Sequence, residues 1–150
     1  MEEQQTNVNA KEVAGKIFKE GYNCAESVVR AFRDLLNLNI SDEALKMATG
    51  FGGGLGQAGC MCGALSGATM VLGILQGRSN KDQSRGPAYS SSQQFHGIFA
   101  AEFGATCCRV LNRHEFGSKD QRLTCLKITS TTADLLYKYI QDKKIAPVNN

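Results

Sequence analysis

The chain has 150 residues, 17 Lys and Arg against 14 Asp and Glu, a net charge of +3, and six cysteines. A chain of this length suits one domain that buries roughly 68–70% of its unfolded-chain surface, enough for a core without disulfide staples. Basic residues that are scattered rather than striped argue against a nucleic-acid partner, and the cysteine content lies far below the roughly 8–10% of a secreted disulfide scaffold.

Residues 1–9 read as a flexible N-terminus. They carry acids and amides but no apolar run, so neither a secretory signal nor a transit peptide is expected, and the cytoplasm is the default compartment. In a cytoplasmic chain, cysteines at this density lean toward metal binding or redox chemistry. Over 10–20, Val13, Ile17 and Phe18 fall at helical spacing before Gly21, a C-terminal stop. Asn23 stands where an N-cap belongs. Ala25, Val28, Val29, Phe32, Leu35 and Leu36 then draw an apolar stripe through a second helix over 24–37, with Cys24 in its first turn. Ser41, Asp42 and Glu43 start a short third helix reaching about residue 49, with acid at the positive end of the dipole.

No charged residue occurs over 47–77. A membrane span would have to use residues 58–76, of which only 70–75 are strongly apolar, so membrane insertion is not expected. The stretch reads better as a glycine-rich loop over 50–59 feeding a buried central helix over 62–76. Gly63, Ala64, Gly67 and Ala68 give that helix a small-residue face against which neighbouring backbones can approach closely. Residues 77–89 are polar, contain Gly86-Pro87 and read as a surface loop. Phe95, Phe99 and Phe103, with Ile98 beside them, define a helix over 90–103 closed by Gly104. CCRVLN forms a short helical turn. Ser118, with Gln121 three residues on, signals a capping box for a last helix whose one face carries Cys125, Ile128, Thr132, Leu135 and Tyr139. With no sustained strand alternation, the expectation is an all-α single-domain bundle of about six helices over 10–143, followed by a tail over 144–150.

GLGQAG at Gly54, Gly56 and Gly59 matches the dinucleotide fingerprint by letter only, because a helical segment precedes it and no βαβ pattern surrounds it. Its glycines serve better to let chain and cysteines crowd one centre, with exposed amides to meet thiolates or cluster sulfurs. The cysteines occupy four places: Cys24, the pair Cys60 and Cys62, the adjacent Cys107 and Cys108, and Cys125. Each lies at or near an expected helix start, where the dipole and orphan amides lower a thiol's pKa and make it a better nucleophile and ligand. There is no C-x-x-C, hence no zinc-ribbon, thioredoxin-like or haem-attachment spacing.

GYNCAESV around Cys24, GFGGGLGQAG followed by CGALSG from Cys62, the Cys108-Arg109 step and the single late Cys125 together resemble the C_GCAxxG_C_C family of redox-active proteins over about residues 10–140. The resemblance places the family's four characteristic cysteines on Cys24, Cys62, Cys108 and Cys125 and leaves Cys60 and Cys107 as auxiliaries. Similarity of that family to the non-haem portion of split-Soret cytochromes implies an iron–sulfur site, without haem. Arg109 is placed to hold an anionic cluster or thiolate by charge. His96, beside phenylalanines, reads as a packed or surface side chain, and His114 as a minor candidate for ligating or donating to the site.

Three functions follow from the same residues. The first is electron transfer or redox sensing through a cysteine-ligated iron–sulfur cluster. The second is a thiol–disulfide oxidoreductase or sensor cycling pairs among these cysteines, with Cys60 or Cys107 as a resolving thiol and no cofactor. The third is a structural zinc module for protein interaction. All three require a partner protein, and the first two a redox partner.

Overall fold

The computed structural model describes residues 9–145. Residues 1–8 of the expected flexible start and 146–150 of the expected tail lie outside the described residues. The elements run α1 (Ala10–Lys19), α2 (Cys24–Leu35), α3 (Asp42–Leu45) continuing into a 3-10 stretch (Lys46–Phe51), α4 (Gly52–Leu55), α5 (Gly63–Gln76), α6 (Gly86–Phe103), α7 (Cys108–Leu111) and α8 (Lys119–Asp142). No strand occurs among the described residues. Counting 42–51 as one helical segment, six helices make an all-α single domain, as the sequence predicts, and the single turns α4 and α7 sit at one end of it. No helix among the described residues is long and apolar enough to cross a membrane.

Caps set the helix starts. Asn9 accepts a hydrogen bond from the Glu12 amide at 3.1 Å, and Ser41 from Ala44 at 3.1 Å. At α2, Asn23 Oδ1 accepts from the Glu26 amide at 2.9 Å while Glu26 Oε1 accepts from the Asn23 amide at 3.1 Å, a reciprocal box that satisfies two orphan donors. The same two side chains reach the 3-10 stretch: Asn23 Nδ2 donates to the Thr49 carbonyl at 3.0 Å, and Thr49 Oγ1 to Glu26 Oε2 at 3.2 Å. The start of α2 is thereby tied to the chain that leads into the glycine-rich segment.

The core gathers Phe32 from α2, Leu65 and Leu72 from α5, Phe95 and Phe99 from α6 and Leu136 from α8, all fully buried. Helix α5 lies between α2 and α6, with α8 running along α1, α2, α5 and α6. Nine of the fourteen residues of α5 are buried, so its uncharged length is a core helix, as expected. Gly67 makes this packing close: a Cβ there would stand 2.8 Å from the Ala25 carbonyl oxygen and 3.1 Å from Val28 Cβ.

Three boundaries differ from expectation. Helix α6 begins at Gly86 rather than near 90, because Pro87 falls in its first turn, where a missing N–H costs nothing, so Gly-Pro opens a helix here instead of marking a loop. The third helix tightens into 3-10 geometry after Leu45. The Ser118–Gln121 capping box forms by half: Ser118 Oγ accepts from the Gln121 amide at 3.1 Å, but Gln121 Oε1 accepts from Gly117 at 3.4 Å, leaving its Nε2 for another partner.

Gly67→Ala is expected to lower stability by about 1–3 kcal/mol through overpacking against α2. Gly73→Ala, on the exposed face of the same helix with open space around it, is expected to raise stability by up to about 1 kcal/mol. Urea unfolding of the two variants checks the pair; equal signs would contradict the packing.

Candidate functional site

Cys24 opens α2, Cys62 caps α5 and Cys108 opens α7. Cys125 departs from the expected pattern, since it lies six residues into α8 rather than at its start. The first turns of α2 and α5 meet because Gly63 has no side chain; a Cβ there would collide with Cys24 Sγ and stand 2.7 Å from the Phe51 carbonyl oxygen. All four cysteines border one cavity of about 220 Å³. Cys24 and Cys62 lie buried on its floor and Cys108 and Cys125 are half-buried, none of the four in a disulfide. The exposed Gln57, Arg109, His114 and Phe116 form its mouth.

Every sulfur of the four accepts an N–H. Cys24 takes the Gly53 and Ala25 amides, Cys62 the Ala64 amide, and Cys108 the Gly63 amide. The Gly63 and Ala64 amides are orphan donors of the first turn of α5, which brings the positive end of that helix to two sulfurs. Cys125, without a helix start of its own, takes Asn112 Nδ2 at 3.2 Å and Gln121 Nε2 at 3.2 Å, the group that the incomplete capping box leaves over.

Burial pushes the Cys24 thiol up to about 11, and burial likewise raises Cys125. Cys62 and Cys108 share one proton unequally. The Cys62 thiol donates to Cys108, which raises Cys62 together with its burial and, against the desolvation of Cys108, lowers the latter to about 7. Around neutral pH the pair therefore passes from two thiols to a Cys108 thiolate beside the protonated Cys62 thiol.

The glycine-rich loop reaches the site by reversing hand. Gly53, Gly54, Leu55, Gly56 and Gln57 all have φ between 60° and 70°, one left-handed turn closed by the Gly56 amide donating to the Gly52 carbonyl at 2.9 Å. Such a turn costs roughly 1–2 kcal/mol per L-residue that has a Cβ, and glycine at three of the five positions removes most of it. Gly54 is required for space as well, because a Cβ would stand 2.6 Å from the Cys60 nitrogen and 3.2 Å from Cys108 Sγ. No strand precedes GLGQAG among the described residues, so the dinucleotide geometry is missing there.

Cys60 and Cys107, expected as auxiliaries, are joined to each other in a disulfide with Cα atoms 4.3 Å apart. Arg109 lies over Gly59 at the mouth, its side-chain carbons 3.2–3.7 Å from where a Gly59 Cβ would sit, and no carboxylate pairs with it among the described residues. His114 reaches the mouth, whereas His96 is exposed on α6 and does not line the cavity. Asn112, Gln121 and Thr129 were not expected. Thr129 lines the cavity fully buried, and its hydroxyl finds no partner among the described residues. The one sequence signal for Gln121 is its i,i+4 relation to Cys125, which places both on one helical face.

Among the described residues no three His, Cys, Asp or Glu side chains gather closely enough to share a single metal. The four sulfurs, their N–H donors and the Thr129 hydroxyl nevertheless border one common space, so the donor chemistry, as distinct from the spacing, is that of a cysteine-ligated group.

Helix starts, small-residue packing and this cysteine set together define a class of small helical cysteine-motif proteins. The chain belongs to the family described as "Putative redox-active protein (C_GCAxxG_C_C)", whose profile matches residues 22–139. An uncharacterized protein of Archaeoglobus fulgidus is 28% identical over 144 residues, covering 90% of this chain and 95% of its own. No solved structure gives a significant match.

Alkylation of Cys108 by iodoacetamide in metal-free protein is expected to follow a midpoint near pH 7, falling tenfold per pH unit below it as the thiolate is protonated. Cys62→Ala removes the donating thiol and should move that midpoint upward. Peptide-resolved labelling across pH 5–10 checks both; a midpoint near 9 in both proteins would contradict the shared proton.

Proposed function

We propose that this redox-active protein holds an iron–sulfur cluster on Cys24, Cys62, Cys108 and Cys125 and serves in electron transfer or redox sensing with a partner protein in the cytoplasm. The observation that carries the reading is the convergence of four cysteines outside any disulfide on one cavity where each sulfur already accepts an N–H. Such donors stabilise negative charge on ligand sulfur and tune its potential. When bound, the cluster supplies one-electron storage and transfer.

The chain's own residues do the rest. Gly63 and Ala64 amides and the Asn112 and Gln121 side chains orient the sulfurs, Ile128 and Leu111 exclude water from the walls, and Thr129 offers a hydroxyl to whatever lies against it. Protein purified without oxygen is expected to be brown and to carry iron with acid-labile sulfide. Serine at any of the four positions should abolish this, while Cys60→Ser and Cys107→Ser leave iron in place. The doubles Cys60→Ser/Cys62→Ser and Cys107→Ser/Cys108→Ser control for substitution by a neighbouring thiol. Stoichiometric zinc, or retention of iron and sulfide in all four singles and both doubles, would overturn the reading.

A second reading, thiol–disulfide exchange without a cofactor, is favoured by one observation, the direct contact of the Cys62 thiol with Cys108. A colourless protein whose Cys62 and Cys108 become disulfide-linked under mild oxidation would select it.

Thr129→Val provides a test that does not depend on activity. In metal-free protein the variant removes a buried hydroxyl that lacks a partner and is expected to gain about 1 kcal/mol of stability. In loaded protein it should speed cluster loss to a chelator several-fold. Urea unfolding and the decay of visible absorbance measure the two effects.

A further inference from the structure

The six cysteines divide by exposure. Cys24 and Cys62 are buried, whereas Cys60 and Cys107, like Cys108 and Cys125, are half-buried, and Cys60 and Cys107 are bonded to each other. Their disulfide joins the two segments that supply Cys62 and Cys108, being two residues from the first and one from the second. Those segments are also held side by side without it: the Cys62 amide donates to the Thr106 carbonyl at 2.8 Å and the Arg109 amide to the Gly59 carbonyl at 3.1 Å. Helix α7 contributes no fully buried residue, although Cys108 and Leu111 pack against the core. The disulfide is therefore a cross-link between two segments that line the cavity, in a place where the fold is already tied together.

The surface around it carries apolar side chains held in water. Leu55 in the left-handed turn, Val110 three residues after Cys107, and Phe116 at the mouth are 54%, 48% and 57% exposed. Large exposed apolar groups at the same end of the bundle as a half-buried disulfide suit a docking protein better than a small thiol.

We propose that Cys60 and Cys107 form a second redox couple, reduced by the dithiol of a partner protein and re-formed by a partner disulfide, on the two segments that carry Cys62 and Cys108 of the four-cysteine cavity. In the reductive direction a partner thiolate attacks one of the two sulfurs and forms an intermolecular disulfide. The other sulfur leaves as a thiolate and takes up a proton. The partner's second thiol then attacks the intermolecular disulfide, leaving the partner oxidised and Cys60 and Cys107 as thiols. Two electrons and two protons pass from partner to chain, and the reverse sequence restores the disulfide. The couple deepens the redox reading above but needs nothing bound in the cavity.

The test uses the full chain and a thioredoxin as reductant, together with a thioredoxin whose resolving cysteine is serine. Stoichiometric thioredoxin is expected to open one disulfide per chain under native conditions, after which alkylation appears on Cys60 and Cys107 at least tenfold faster than without it. The serine form should be captured as a covalent adduct on Cys60 or Cys107. The Cys60→Ser/Cys107→Ser double variant, with its fold checked by circular dichroism, should capture none there. Resistance of the pair to thioredoxin until guanidinium unfolds the chain would make it a structural cross-link and overturn the proposal. So would adducts that form only on Cys108 or Cys125 with the Cys60–Cys107 bond intact. Iron and sulfide measured on the same samples report separately on the cavity, so a protein that fails to take up iron yet opens this disulfide defeats the cluster reading and leaves this one standing.

Discussion

Two helix N-termini pressed together with only hydrogen atoms between their backbones make the contact on which the site depends. Gly63 and Gly67 let α5 settle on Cys24, Ala25 and Val28 of α2, and any Cβ at either glycine meets backbone or sulfur at well under van der Waals distance. The closeness has an electrostatic consequence. Each helix start carries roughly half a positive charge and unpaired amides, so bringing two together is unfavourable unless something electron-rich accepts those donors. Sulfur does so here, and Asn23 and Glu26 supply the oxygen atoms that satisfy the remainder on the α2 side.

Much of this was legible in the sequence, for identifiable reasons. Apolar spacing gave α2, Asn23 gave its cap, and a run of thirty-one residues without charge gave the core helix α5, because each signal is local and has one structural outcome. The four cavity cysteines were legible as a set through family resemblance rather than spacing; their convergence depends on long-range packing that no local pattern encodes. Gln121 was misread because the same side chain suits both a helix cap and a sulfur, and the choice is made by where Cys125 lies one turn on. Thr129 gave no signal, since a threonine on a buried helical face is ordinary until its hydroxyl is found without a partner. The left-handed turn was read only as permissive loop, because glycine content reports freedom of φ and not which way the chain uses it.

The two ends of the bundle differ in how they are held. One is a packed cluster of Phe32, Phe95, Phe99, Leu65 and Leu136, while the other is built from single turns, glycines and hydrogen bonds to sulfur. Local opening therefore costs less at the site than across the core, since few buried apolar contacts are broken when α7 moves. The cysteine-lined cavity is thus placed on the part of the molecule that can rearrange without unfolding the rest.

Chirality gives the turn over 53–57 one more consequence. For five residues the backbone follows the mirror image of an ordinary helix, so the preference of the building blocks is inverted there. A D-alanine introduced by chemical ligation at position 56, where the surroundings are open, would match the local backbone, and its L counterpart would oppose it. Ribosomal synthesis has no such mirror residue to offer, and glycine, which is its own mirror image, is the nearest substitute. The glycine-rich stretch beside the sulfurs is in this sense an achiral patch in a chiral polymer, and ordinary substitutions there have to work against handedness before any sulfur chemistry is touched.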